Sequence, residues 1–119
     1  MKKDPIILLE HILESIDDIT FFLKSVTQEK FEKNKEKINA VVRSLEIVGE
    51  AAKNLPEEIK IKYKDVAWKG MIGTRDRIIH QYFGVKLNII WKIVQEDLPT
   101  LKKQLIKIKE ELRKDSGNK

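Results

Sequence analysis

Between Thr74 and Gly84 the chain reads TRDRIIHQYFG, which holds two of its four arginines, one of its two histidines and one of its two tyrosines. Those residue types suit proton transfer beside a bound anion. Histidine, with an unperturbed pKa near 6.5, both takes and gives protons around neutrality. Arginine offers a planar fork to a pair of anionic oxygens. If the stretch is helical, at about 100° per residue, spacing decides which side chains meet. Asp76 and His80 are four apart and share a face, so the carboxylate can orient the imidazole. Arg77 and His80, three apart, are also neighbours, and Arg75 and Tyr82, seven apart, project in nearly one direction. Arg75 and His80 diverge by roughly 140°. A site using both needs a long, bent arginine, a distorted turn near Gly73, or a second copy of the helix. Spacing alone also admits plainer roles: a helix histidine held by Asp76, and a tyrosine at a bundle edge.

Composition narrows the chemistry. There is no cysteine, which removes disulfides, thiolate catalysis and cysteine-bound zinc. His11 and His80 are the only imidazoles, so a histidine-rich metal site is not expected. His11 lies beside an apolar stripe and is expected to be structural. Glu46 and Glu50, four apart, lack the histidine partner of a carboxylate metal bundle, and the expectation is no metal and no cofactor. Net charge is +5, with 36% charged residues; the mild positive excess favours phosphate-bearing partners, although most charges alternate in sign. No apolar run is long enough to span a bilayer, and the N-terminus does not read as a signal peptide. A cytoplasmic protein with no membrane partner is expected.

At 119 residues the chain is expected to form one domain, 1–119, with a frayed tail from about 115. Every long segment has helical periodicity. Asp4-Pro5 starts a first helix with the stripe Leu9, Ile12, Leu13, Ile16, Ile19, Leu23 and Val26. Thr27 caps a second, whose stripe runs from Phe31 to Leu55. A short helix follows Pro56, and a third long one runs from about Asp65 to Phe83, with Gly70 and Gly73 inside it. Each such glycine costs roughly 1 kcal/mol relative to alanine, which implies close helix packing or backbone approach to a partner or ligand. A last helix spans about Lys86 to Lys114, kinked near Pro99. The predicted fold is all-α: a mostly antiparallel bundle of four to five helices. Wide stripes, together with Trp91 and Phe83, imply apolar surface buried in a homodimer.

The flanking sequence sharpens the reading of the motif. RDRIIHQY fits Arg-x4-His-x-Tyr. It follows SLEIVGEAAKNLP at Ser44–Pro56 and DVAWKGMIGTRD at Asp65–Asp76, and precedes FGVKLNIIWKIVQEDLPTLKKQL at Phe83–Leu105. In that order and spacing the chain resembles the HepT-like family of the HEPN superfamily, closely over Val41 to Leu105. The resemblance implies a dimerising helical bundle and a metal-independent ribonuclease toxin. It also implies a small MntA-type nucleotidyltransferase partner acting as antitoxin by transferring AMP to the motif tyrosine. Carried over, Arg75 and His80 would be catalytic, Asp76 supporting, and Tyr82 the AMP acceptor. Proximity to the motif makes Arg77, Lys69 and Lys86 candidates for guiding RNA, read by shape more than by base.

One motif histidine per chain is too few for separate base and acid, so a twofold axis is expected to pair two motifs. Two other functions fit the same residues: a non-catalytic helical binding partner of a nucleotidyltransferase, and a plain helical scaffold.

Overall fold

The computed structural model describes residues 4–80 and 86–117, with side chains for 4–77 and 86–115. The described residues form six helices rather than four to five: α1 (Pro5–Phe22), α2 (Gln28–Lys33), α3 (Lys35–Asn54), α4 (Glu57–Lys62), α5 (Trp68–His80) and α6 (87–117). None is long and apolar enough to cross a membrane.

The added helix arises at Asn34, where the expected second helix divides. Asn34 has extended backbone (φ −108°, ψ 96°), closes α2 through its N–H to the Phe31 carbonyl, and opens α3 by accepting from the Lys37 N–H at 3.0 Å. Asparagine is among the best N-caps, and a competent cap can stop one helix while starting the next. Phe31 and Val41 lie on opposite sides of this break and are both fully buried, so the apolar pattern runs through it unbroken. α1 begins as expected, with Asp4 Oδ1 accepting from the Ile6 N–H at 2.9 Å. It ends at Phe22, short of Val26, because the chain turns through a left-handed Ser25 (φ 62°).

α6 is one helical course with three segments in series: Leu87–Lys92, a wider π turn at Ile93–Asp97, and Leu98–Gly117. A kink is the expectation near Pro99; what the structure shows just before it is this π turn. Pro99 has no N–H, and its ring would crowd the carbonyl four residues back in a regular helix. Widening the preceding turn, with the Leu98 N–H bonded five residues back to the Ile93 carbonyl, relieves that crowding while the stripe continues. Ile90, Val94, Leu98, Leu101, Leu105 and Ile108 are all buried.

α3 is the central element, packed between α1 and α5; α6 closes the core against α1 and, at its start, α2. Trp91 faces inward more than expected: it packs on Phe31, ring centroids 5.6 Å apart. Phe83, the other aromatic assigned to a dimer surface, lies outside the described residues.

Candidate active site on α5

Buried Trp68 anchors the start of α5, its indole N–H donating to the Tyr63 carbonyl at 3.0 Å. From there α5 is unbroken α-helix through Gly73 to His80, which removes the distorted turn as a way of joining Arg75 to His80. The divergence of roughly 140° between those two positions therefore stands at the level of the backbone.

Arg75 leaves α5 on the side facing α3, and only 23% of its side chain is exposed. Its guanidinium Nη1 donates to Asp76 Oδ1 at 3.2 Å. Asp76 is followed on its own helical row by position 80, four residues on. The contact ties the Arg75 head to Asp76, whose helical row includes position 80. Arg75 Nε is buried and donates to no group among the described residues. The side chain of His80, and all of Tyr82, lie outside the described residues, so the pairing expected between Asp76 and His80 does as well.

A residue that motif spacing did not single out holds this arrangement. Gly49, buried on α3, faces Arg75 directly; a Cβ there would collide with the Arg75 side chain and stand 2.8 Å from the Met71 carbonyl oxygen. The signal was present in the sequence as a glycine inside an apolar helical stripe, where alanine is preferred unless a backbone must come close. Gly70 and Gly73 differ. A Cβ at Gly70 would meet only the Ala67 Cβ, at 3.7 Å, and one at Gly73 nothing within 4 Å, so packing inside the chain explains neither.

Lys69, Gly73 and Arg77 follow one another at four-residue steps, which makes a row with a basic side chain at each end and a bare backbone between. Lys69, Arg77 and Lys86 are exposed and form no ion pair among the described residues. Elsewhere, His11 is exposed on α1, and Glu46 accepts from Arg43 at 3.3 Å. Among the described residues no group of three or more His, Cys, Asp or Glu side chains lies together as a metal site.

The arrangement offers a part-buried arginine, hydrogen-bonded to a carboxylate, beside a helix face with exposed cations. Comparison with known proteins bears on what it serves. A family model described as ribonuclease HepT-like matches residues 12–108. Across its whole length the chain is 46% identical to a Methanocaldococcus jannaschii protein named "gamma-glutamylcyclotransferase and putative RNase", of which it spans 54%. A "probable ribonuclease HepT" of Thermococcus cleftensis is 40% identical over 92% of this chain and 99% of that protein. A second M. jannaschii protein, named a "putative RNase", is 44% identical over 98% and 97% of the two chains. No solved structure matches. With most of its helical core inside the matched span, and the motif helix with it, the chain belongs to the ribonuclease HepT-like family.

Proposed function

We propose that the protein is a metal-independent RNA endonuclease whose site is built on α5 and completed by a second copy of the chain. The observation that supports this reading is the part-buried Arg75, whose guanidinium is hydrogen-bonded to Asp76, four positions before His80. In the reaction, one His80 takes the proton of a ribose 2′-hydroxyl as its oxygen attacks the adjacent phosphorus. The partner copy's imidazole protonates the 5′-oxygen as the P–O5′ bond breaks, leaving a cyclic phosphate. Arg75 binds the phosphorane oxygens, where an always-charged fork aimed at developing charge contributes most. Lys69, Arg77 and Lys86 guide the RNA backbone along the exposed side of α5.

On this reading the protein is the toxin of a toxin–antitoxin pair, silenced when a cognate nucleotidyltransferase transfers AMP to Tyr82. The added group brings negative charge and bulk to a groove that must accept RNA phosphate. Growth arrest on expression alone, relieved by His80→Ala, is expected. Dimers that pair one His80→Ala subunit with one unaltered subunit keep only one of the two imidazoles and should cleave far more slowly than the parent. Full cleavage by purified His80→Ala protein would overturn the assignment. Steps of one AMP in intact mass, lost in Tyr82→Phe after co-expression with the transferase, test the silencing.

A further inference from the structure

Gly49, seated against Met71 and Arg75 of α5, fixes which sides of α3 and α5 meet. α6 begins against α2, which adjoins the start of α3, so α5 runs antiparallel to α3, from its end back toward its start. In antiparallel neighbours, side chains turned in the same sense from the contact line share a face. Leu45 and Val48 of α3 are turned in one sense from Gly49, and Met71 and Thr74 of α5 in the same sense from Arg75. All four line one cleft, of about 410 Å³, against the π turn of α6. The opposite sense holds Glu46 and Arg43 on α3, roughly 60° and 120° from Gly49, and Asp76 on α5, roughly 100° from Arg75. That second face is polar.

Its two walls match. Arg43 Nη1 donates to Glu46 Oε2 at 3.3 Å, as Arg75 Nη1 does to Asp76 Oδ1 at 3.2 Å. Glu46 is 24% exposed and stands on the α5 side of Arg43, so the pair draws the 66%-exposed arginine toward the groove between the helices. Along the axis, Arg43 lies six residues, about 9 Å, from Gly49 toward the start of α3. The same step along α5, from midway between Met71 and Arg75, reaches position 79, next to the motif histidine. The bond to Glu46 occupies one of five guanidinium N–H groups, which leaves donors for an anion. An exposed ion pair of this kind contributes little to the fold. Glu50, one turn from Glu46 in the other direction, is exposed and forms no ion pair among the described residues. It repels an anion from the end of the groove away from the motif, which favours the Arg43 end.

We propose that Arg43 is a positioning residue that binds the RNA phosphate adjoining the one cleaved, with Glu46 setting its reach. The proposal rests on the ribonuclease reading above and adds a wall from α3 to a site otherwise built on α5. RNA offers a phosphate at every nucleotide, so a strand held at Arg75 presents a second phosphate to the opposite wall. A grip on that neighbour acts on bound substrate and transition state alike, and is therefore felt in KM more than in kcat.

Binding is measured by fluorescence anisotropy with a labelled single-stranded RNA oligonucleotide, on His80→Ala protein so that the probe stays intact. Arg43→Gln should weaken binding at least about fivefold and reduce the slope of log affinity against log salt by about 0.7, as for one phosphate contact on a single strand. Arg43→Lys keeps the charge without the fork and should restore the slope and part of the affinity. Arg113→Gln removes a similarly exposed, paired arginine near the end of α6 and should change affinity less than about twofold. In the active chain, Arg43→Gln should raise KM at least about fivefold with a smaller change in kcat, and its melting should match the parent. A fall in kcat at unchanged KM, a salt slope equal to the parent's, or equal losses in Arg43→Gln and Arg113→Gln would each overturn the contact. If Arg43→Gln loses affinity as expected and the parent does not cleave RNA, the contact stands and the ribonuclease reading fails. If the parent cleaves and Arg43→Gln binds RNA as tightly as the parent, that reading stands and the contact fails.

Discussion

Gly49 on α3 lies directly beneath Arg75 on α5, so close that a single methyl at position 49 has no room. The neighbours are the Arg75 Cβ and the Met71 carbonyl oxygen, which cannot swing away as the end of a flexible side chain could. Gly49→Ala must therefore push α3 and α5 apart or displace Arg75. Overpacking of this kind costs about 1–3 kcal/mol, expected as a lower urea midpoint with an unchanged m-value. On the proposed function it also lowers kcat, by about tenfold or more, since small displacements of a positioned group are costly. Cleavage at saturating RNA, compared with the urea melt, reads both effects.

The link from Arg75 to Asp76 predicts a different pattern. The pair is partly exposed, 23% and 48% by side chain, so breaking it should cost at most about 1 kcal/mol of stability. Its value is in steering. Asp76→Asn keeps an acceptor of the same shape without the charge and should reduce kcat several-fold. Arg75→Lys loses the planar fork and should reduce kcat by about a hundredfold. Both variants should melt close to the parent. Parallel losses of activity and stability would instead mark the pair as a packing device.

How much of this was legible in the sequence depends on range. Asp4-Pro5 announced its helix because a cap and a proline act on their own turn. The stripes of α1, α3 and α6 named the core because burial follows period. Of the three ways around the angle between Arg75 and His80, a regular α5 at Gly73 removes the distorted turn and leaves a bent arginine or a second copy of the helix. Gly49 was hidden because its reason lies on another helix, as Arg75 does for it. Gly70 and Gly73 drew attention as glycines inside a helix, yet a Cβ at Gly70 would make only one ordinary contact and one at Gly73 none within 4 Å.

Asn34 was missed for a related reason. The apolar period runs across it, and a single capping side chain decides the break. Asn34→Ala removes the acceptor for the Lys37 N–H and should cost about 1 kcal/mol. Asn34→Asp, which keeps that acceptor and adds charge favourable to a helix start, should leave stability level or slightly raised. Thermal melts of the two variants decide whether the side chain or the backbone turn sets the boundary.

Tyr63 supplies a prediction in pH. Its hydroxyl donates to Glu111 Oε2 at 2.7 Å, tying the α4–α5 connection to the far end of α6. Burial, then the hydrogen bond to Glu111, then the negative charges of Glu111 and Asp115 push the phenol up from 10.0 to about 12. A raised pKa means the fold favours the neutral, donating form. Its contribution to stability is complete below pH 10 and is lost as pH rises through 12. Tyr63→Phe should therefore be less stable than the parent by about 1 kcal/mol at pH 8, the usual worth of one such bond. Between pH 10 and 12 the gap should close, because only the parent has a phenol to ionise beside Glu111. All other groups are common to the two proteins, so the quantity to follow is the difference between two urea titrations at each pH. A difference that stays constant from pH 8 to 12 would mean that the hydroxyl and Glu111 are not coupled in solution.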